Sequence, residues 1–185
     1  MSAQTKPAST KVVTGKVRLS YCNLFEPRAQ QEGGEAKYSV TILIPKSDTA
    51  TVEKIKAAQE AAVAAKWPTK RPAKIATTLH DGDGVKEKTG EEFGPECKGH
   101  WVMSVSSKQR PGLVDENLNE IMDKTAIVSG DYGRVSINAY GYDVNGNRGV
   151  SFGLGNVQLV AEGEALSSRT RAEDDFSDDF EDFLG

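Results

Sequence analysis

Two histidines, two cysteines and no apolar run approaching a membrane span set the first limits on this 185-residue sequence. Cys22 and Cys97 make no disulfide framework. With His80 and His100 they could supply four zinc ligands in principle. Only Cys97 and His100 have a short ligand spacing, however, and no knuckle pairs them with a second couple. General acid–base work would fall to carboxylates that have no distinguishing placement. There is no GxxxxGK[ST] phosphate loop, no nucleophile elbow, and no Cys or Ser beside a base and an orienting acid. No catalytic site, metal or cofactor is therefore expected. Met1 to Thr10 (MSAQTKPAST) lacks the apolar stretch of a signal peptide, so the sequence reads as cytosolic with no membrane partner. No internal repeat is present.

What the chain does have is an end unlike the rest. Glu173 to Gly185 (EDDFSDDFEDFLG) carries seven acids, no base and three of the six Phe. Like charges repel and build no core, so the segment reads as solvated and disordered. Solubility alone does not call for Phe176, Phe180 and Phe183, which would share one face if the segment became helical on a partner. With Asp178 and Asp179 they form the expected partner-binding set. The whole chain has 23 Lys and Arg against 27 acids, and without the tail's seven acids the balance is 23 against 20. That mild excess of base permits a polyanion partner without requiring one.

The remaining length suits one domain with a core and polar ends. Lys11 to Tyr21 alternates as a strand, with Val13, Val17, Leu19 and Tyr21 on one face and Lys16 and Arg18 on the other. Tyr38 to Pro45 follows the Gly33-Gly34 turn as a second strand, grouping Tyr38, Val40, Ile42 and Ile44. Ser47 or Asp48 can cap an Ala-rich helix to about Lys66, with Val52, Ile55, Ala58 and Ala62 along one side and Pro68 as its stop. From Trp67 to Gly99 the periodicity is lost, which suggests a working or partner-ordered loop. Strands resume at His100 to Lys108 and at Thr125 to Ser129. In Arg134 to Tyr142 (RVSINAYGY), Val135, Ile137 and Ala139 face one way while Arg134, Ser136, Asn138, Tyr140 and Tyr142 face the other. An Asn145 to Asn147 turn makes a hairpin to Val150 to Leu154, and a last strand is expected near Asn156 to Val160.

Five or more strands with one inserted helix and long loops predict a mainly β fold, an OB-fold-like antiparallel barrel, with an immunoglobulin-like sandwich as the alternative. The expected divisions are a flexible N-terminus (1–10), the barrel domain (11–164), a linker (165–172) and the acidic tail (173–185). Aromatic faces beside Lys and Arg are what single-stranded nucleic acid requires. The residues that could supply them are Lys16, Arg18, Tyr38, Trp67, Lys70, Arg71, Lys108, Arg110, Arg134, Tyr140 and Tyr142. Trp101, sharing a face with Met103 and Val105, reads as core. DGDG at Asp81 to Gly84 invites a calcium-loop reading, with Asp81, Asp83 and Glu92 at the first, third and twelfth positions. Val85 and Lys86 then occupy positions that need a ligand and a glycine, so the segment reads as a turn.

Pro111 to Ile121 (PGLVDENLNEI) and Ser129 to Leu166 (SGDYGRVSINAYGYDVNGNRGVSFGLGNVQLVAEGEAL), with YSVTILIPK and LHDGDG, resemble a family of tailed-phage single-stranded DNA-binding proteins, formerly known only as a phage domain of unknown function. The resemblance covers most of residues 11 to 166. It implies an OB-fold that protects single strands in phage replication and recombination, in the cytoplasm of an infected host. Acidic tails ending in aromatics are shared by bacterial and phage single-strand binders, where they recruit replication or recombination proteins and can shield the DNA groove. This tail ends Phe183-Leu184-Gly185 rather than in a terminal Phe, which favours phage-encoded partners. A homo-oligomer is left open. Two other readings are weighed. A virion structural or decoy protein does not explain the outward Arg134, Tyr140 and Tyr142. A nuclease or recombination mediator would need clustered carboxylates, for which Asp81, Asp83 and Asp131 are the candidates.

Overall fold

A computed structural model describes residues 9–29, 32–86, 89–164 and 166. The acidic tail and the expected linker, apart from Leu166, lie outside the described residues.

The first expected strand is broken in two. β1 is Lys11–Val13 and β2 is Val17–Arg28. Between them Thr14 is fully buried, and its hydroxyl accepts from the Val135 amide at 3.0 Å. The break shifts the phase, so Val12 enters the core and Val13 is exposed. β3 (Lys37–Pro45) follows, with Val40, Ile42 and Ile44 inward as the alternation requires. α1 (Thr49–Lys66) begins at Asp48, whose carboxylate accepts from the Thr51 amide and hydroxyl, satisfying a free donor of the first turn. It ends at Trp67, just before Pro68. Its Val52, Ile55, Ala58 and Ala62 are buried. Small residues let its last turn approach the strand at Gly141, where a Cβ would come within 2.7 Å of the Lys66 Cβ.

The expected loop from Trp67 to Gly99 is docked rather than free. Ala76 exchanges backbone hydrogen bonds with Arg148 and Val150, and Ile75 and Leu79 pack against the core. β4 (His80–Asp81) pairs with β5 (His100–Ser107) opposite Val102 and Trp101. A short 3-10 turn at Pro95–Cys97 buries Cys97. β6 (Leu113–Val114) lies between the strands expected at His100 to Lys108 and Thr125 to Ser129, where none was expected. Thr125 to Ser129 is not a strand. Asp123 accepts from the Thr125 amide and hydroxyl, and Asp131 from the Val128 amide, folding the segment into turns around buried Ile127.

β7 (Tyr132–Val144) and β8 (Asn147–Ala161) form the long hairpin expected from the Asn-Gly turn, where Asn145 (φ 52°) and Gly146 (φ 82°) both take the left-handed conformation of a two-residue hairpin. The last expected strand is the continuation of β8 rather than a separate element. β2, β3, β5, β8 and β7 pair in that order and β7 returns to β2, closing a ring. The fold is thus mainly β with one helix, as expected, and departs from a purely antiparallel barrel at one seam: β5 and β8 pair in parallel, Ser106 opposite Gly153. Inside the ring Leu19, Ile42, Met103, Val135, Ile137 and Phe152 form one core with the apolar side of α1.

Candidate nucleic-acid interface

Paired residues in neighbouring strands point to the same face, so the register defines what the outside of the ring presents. Ser20 stands opposite Thr41, Thr41 opposite Ser104, Asn23 opposite Ser39, Ser39 opposite Ser106, and Ser106 opposite Gly153. This outer face of β2, β3, β5 and β8 is a bed of small polar side chains. Thr41 and Ser104 hydroxyls meet at 3.0 Å, and the Asn23 amide donates to the Ser39 hydroxyl at 3.2 Å. Tyr21, Asn23, Arg28, Ser39, Thr41 and Ser104 line an open groove of about 410 Å³.

Aromatic rings stand at both ends of the bed. Tyr140 on β7 is 46% exposed, and its Cε1 lies 4.0 Å from where a Cβ on Gly153 would be, so the ring leans over β8 toward β5. Tyr21 on β2 is 72% exposed. It was expected inward with Leu19. A register irregularity between Ser20 and Asn23 and a φ of 47° at Tyr21 turn it out instead. Left-handed backbone is a genuine outlier for a bulky residue. Basic residues frame the groove. Arg28 pairs in register with Lys37 at its mouth, and Lys108 and Arg110 follow the end of β5, Lys108 with Glu35 3.2 Å away.

The other residues expected at an interface have varied fates. Arg134 is exposed, with its Nε donating to the Thr14 carbonyl at 3.2 Å. Tyr142 is half-buried, and its hydroxyl fills the space a Cβ on Gly149 would take. Tyr38 shares the inward side of β3 and packs on the core, and Trp67 caps α1 and packs there too. Both rings are partly buried. Lys70 is exposed, and Arg71 pairs with Glu60. Lys16 sits 4.9 Å from the Tyr132 ring centroid. Arg18 packs on the same ring and donates to the carbonyls of Gly130 (3.1 Å) and Glu164 (2.7 Å), so it fastens two chain segments. Tyr21, Asn23, Arg28, Ser39, Thr41 and Ser104 were not singled out from sequence. The serine and threonine alternation in β3 and β5 was a readable signal. The bulge that exposes Tyr21 was not.

The carboxylates considered for a nuclease are engaged elsewhere. Lys46 contacts Asp81 at 2.6 Å and Asp83 at 2.7 Å, and its hydrogen bonds hold both below the usual carboxylate range. Asp131 is buried and accepts from the amides of Val128 and Gly163. Burial pushes the Cys22 thiol up to about 11, leaving it a poor nucleophile. Among the described residues no three His, Cys, Asp or Glu gather to hold a metal ion, and no helix is long and apolar enough to cross a membrane.

A closed β ring with one packing helix and an open, polar, aromatic-ended groove on its outside defines an OB-fold-like domain. Comparison places it more closely. The chain belongs to the Enterobacter phage Enc34 ssDNA-binding protein family, whose profile matches residues 10–184. Protein p50 of Acyrthosiphon pisum secondary endosymbiont phage 1 is 35% identical over 167 residues, spanning 85% of this chain and 86% of p50. Among solved structures, the single-stranded DNA-binding protein from bacteriophage Enc34 in complex with ssDNA superposes with a TM-score of 0.74 at 24% identity, covering 89% of this chain and 97% of that one. gp2.5, a single-stranded DNA-binding protein encoded by bacteriophage T7, gives 0.58 at 17% identity, covering 92% and 94%. These likenesses show the shared fold.

Proposed function

We propose that this protein is a non-enzymatic, sequence-tolerant binder of single-stranded DNA in phage replication and recombination, acting in the cytoplasm of the infected host. It protects exposed strands and recruits phage proteins through Glu173 to Gly185. The observation that carries this reading is the in-register bed from Asn23 through Ser39 and Ser106 to Gly153, with Tyr21 and Tyr140 at its ends and basic residues at its mouth. Small side chains let a backbone lie close. Tyrosine faces stack on any base, and Lys and Arg neutralise phosphates without reading sequence.

A fluorescence titration with oligo(dT), duplex DNA and RNA at two salt concentrations tests this. Single-stranded DNA should bind far better than duplex, with a slope of about 0.7 per phosphate neutralised, modest for so mildly basic a body. Equal binding to duplex, or no binding at low salt, refutes it.

The tail's proposed role has support from the last described residues. The Leu166 amide donates to the Ser129 carbonyl at 3.0 Å, and Leu166 packs against Leu43, Cys97 and Val102. Leu43 and Val102 lie on the same outer face as Thr41 and Ser104, two residues along each strand. Leu166, the last described residue, thus packs on the same outer face as the groove. A tethered segment acts at an effective concentration of roughly millimolar, so seven acids compete with DNA although they cannot match a strand that also stacks. Deleting Glu173 to Gly185 should tighten DNA binding, most at low salt, and abolish partner binding. Replacing Phe176, Phe180 and Phe183 with Ala should remove partner binding alone. Unchanged DNA affinity and unchanged partner binding after truncation would reduce the tail to a solubility device.

A further inference from the structure

We propose that Tyr21 is a base-stacking platform held ready by a left-handed bulge, and that it forms the β2 end of the DNA path opposite Tyr140. This rests on the single-stranded DNA reading above. Three independent observations converge on it. Tyr21 is the most exposed aromatic residue among those described, at 72%, although it lies within a strand whose neighbours Leu19 and Leu24 are buried. Its φ of 47° belongs to the region that glycine and asparagine occupy readily and a bulky side chain does not. It also lines the groove formed with Asn23, Arg28, Ser39, Thr41 and Ser104.

Ordinary packing accounts for none of these. A strained backbone persists where the surrounding structure holds it, and such positions cluster where a side chain must be aimed. Here the flanks are fixed: Ser20 is buried opposite Thr41, and the Cys22 amide donates to the Ser129 hydroxyl at 3.2 Å. The residue between them is pushed outward with its ring free of the core. A tyrosine offers a flat apolar face with a polar rim, which suits a nucleobase in water. From β2 to β7 the path crosses β3, β5 and β8, four interstrand steps of about 4.8 Å or roughly 19 Å. A surface path of that length around the outside of the ring suits a binding site at the short end of the ~4 to 16 nucleotides that one such fold occupies.

The full-length Tyr21→Gly and Tyr21→Phe proteins should be compared with the unsubstituted protein by anisotropy on labelled oligo(dT) and on an abasic oligonucleotide of the same length. Glycine suits the backbone at this position, so Tyr21→Gly should unfold no earlier on heating. Its affinity for oligo(dT) should fall about 5- to 150-fold, the range for losing one stacked base. Tyr21→Phe should restore most of that loss. On the abasic strand, which keeps the phosphates without the bases, the glycine variant and the unsubstituted protein should bind alike. If the unsubstituted protein binds oligo(dT) and Tyr21→Gly binds it equally well, the platform is refuted while the single-stranded DNA reading stands. An equal loss on both strands assigns Tyr21 to backbone contact and also overturns the proposal. Failure of the unsubstituted protein to bind either strand overturns the reading beneath it.

Discussion

Replacing Phe152 with alanine should lower the free energy of unfolding by about 3 to 5 kcal/mol, the range for removing a large buried aromatic. Phe152 is among the largest of the fully buried side chains and stands on β8 opposite Ala139 of β7, with its ring directed into the closed sheet. The partner across the pair, Ala139, is too small to fill the space. The lost burial and the remaining cavity then add. Domains of this kind have only about 5 to 15 kcal/mol in total, so the variant should sit near the edge of folding at 37 °C. Urea denaturation checks this: the midpoint should fall sharply with the slope unchanged. Ser151→Ala, one residue along and on the outer face, should shift it by less than about 0.5 kcal/mol. Comparable effects at the two positions would mean that the inside and outside of β8 are reversed.

Tyr140→Ala should leave stability nearly intact and weaken single-strand binding by about 1 to 3 kcal/mol, or roughly 5- to 150-fold. The ring is half out of the surface and lies over Gly153 on the next strand, so its removal opens no cavity in the core. Tyr142→Ala makes the contrast. Its hydroxyl covers Gly149 where the docked segment at Ala76 bridges β8, so that change should loosen the end of the hairpin and the segment beside it. Melting curves and oligo(dT) titrations of the two variants should therefore separate, with Tyr140 altering binding and Tyr142 altering stability as well. Loss of fold from Tyr140→Ala would show that its ring is a structural element.

That two tyrosines two residues apart differ in this way was beyond the reach of periodicity. Alternation in Arg134 to Tyr142 was readable because β7 is paired along its length and its inward positions are all apolar, and it correctly separated the faces. It could not tell which outward ring is covered by another segment. The helix was legible for a similar local reason: Asp48, an Ala-rich repeat and Pro68 all act within one stretch of chain. Where reading failed, the deciding partner was remote. Arg18 appeared to be a free surface base, yet the carbonyls it holds belong to Gly130 and Glu164, more than a hundred residues away. The first strand was read as continuous because nothing local announces that Thr14 will be drawn in to accept from Val135, so Val13 was placed inward where Val12 is; Val17 and Leu19 face the core as read, and Tyr21 is turned out by its own bulge. Tyr38 was legible as an inward residue of β3, and it packs on the core there while staying partly exposed.

Closure of the ring carries a consequence for crowding. A binder that coats a strand brings many copies of itself into a line, at local concentrations where unpaired sheet edges would recruit one another into fibres. Here five strands use their edges on each other. Those outside the ring, β1, β4 and β6, offer three, two and two residues. A neighbour finds less open edge to extend than an open sheet would offer. On the proposed reading, copies lined up along a strand can stand side by side with less tendency to zip together through their sheets.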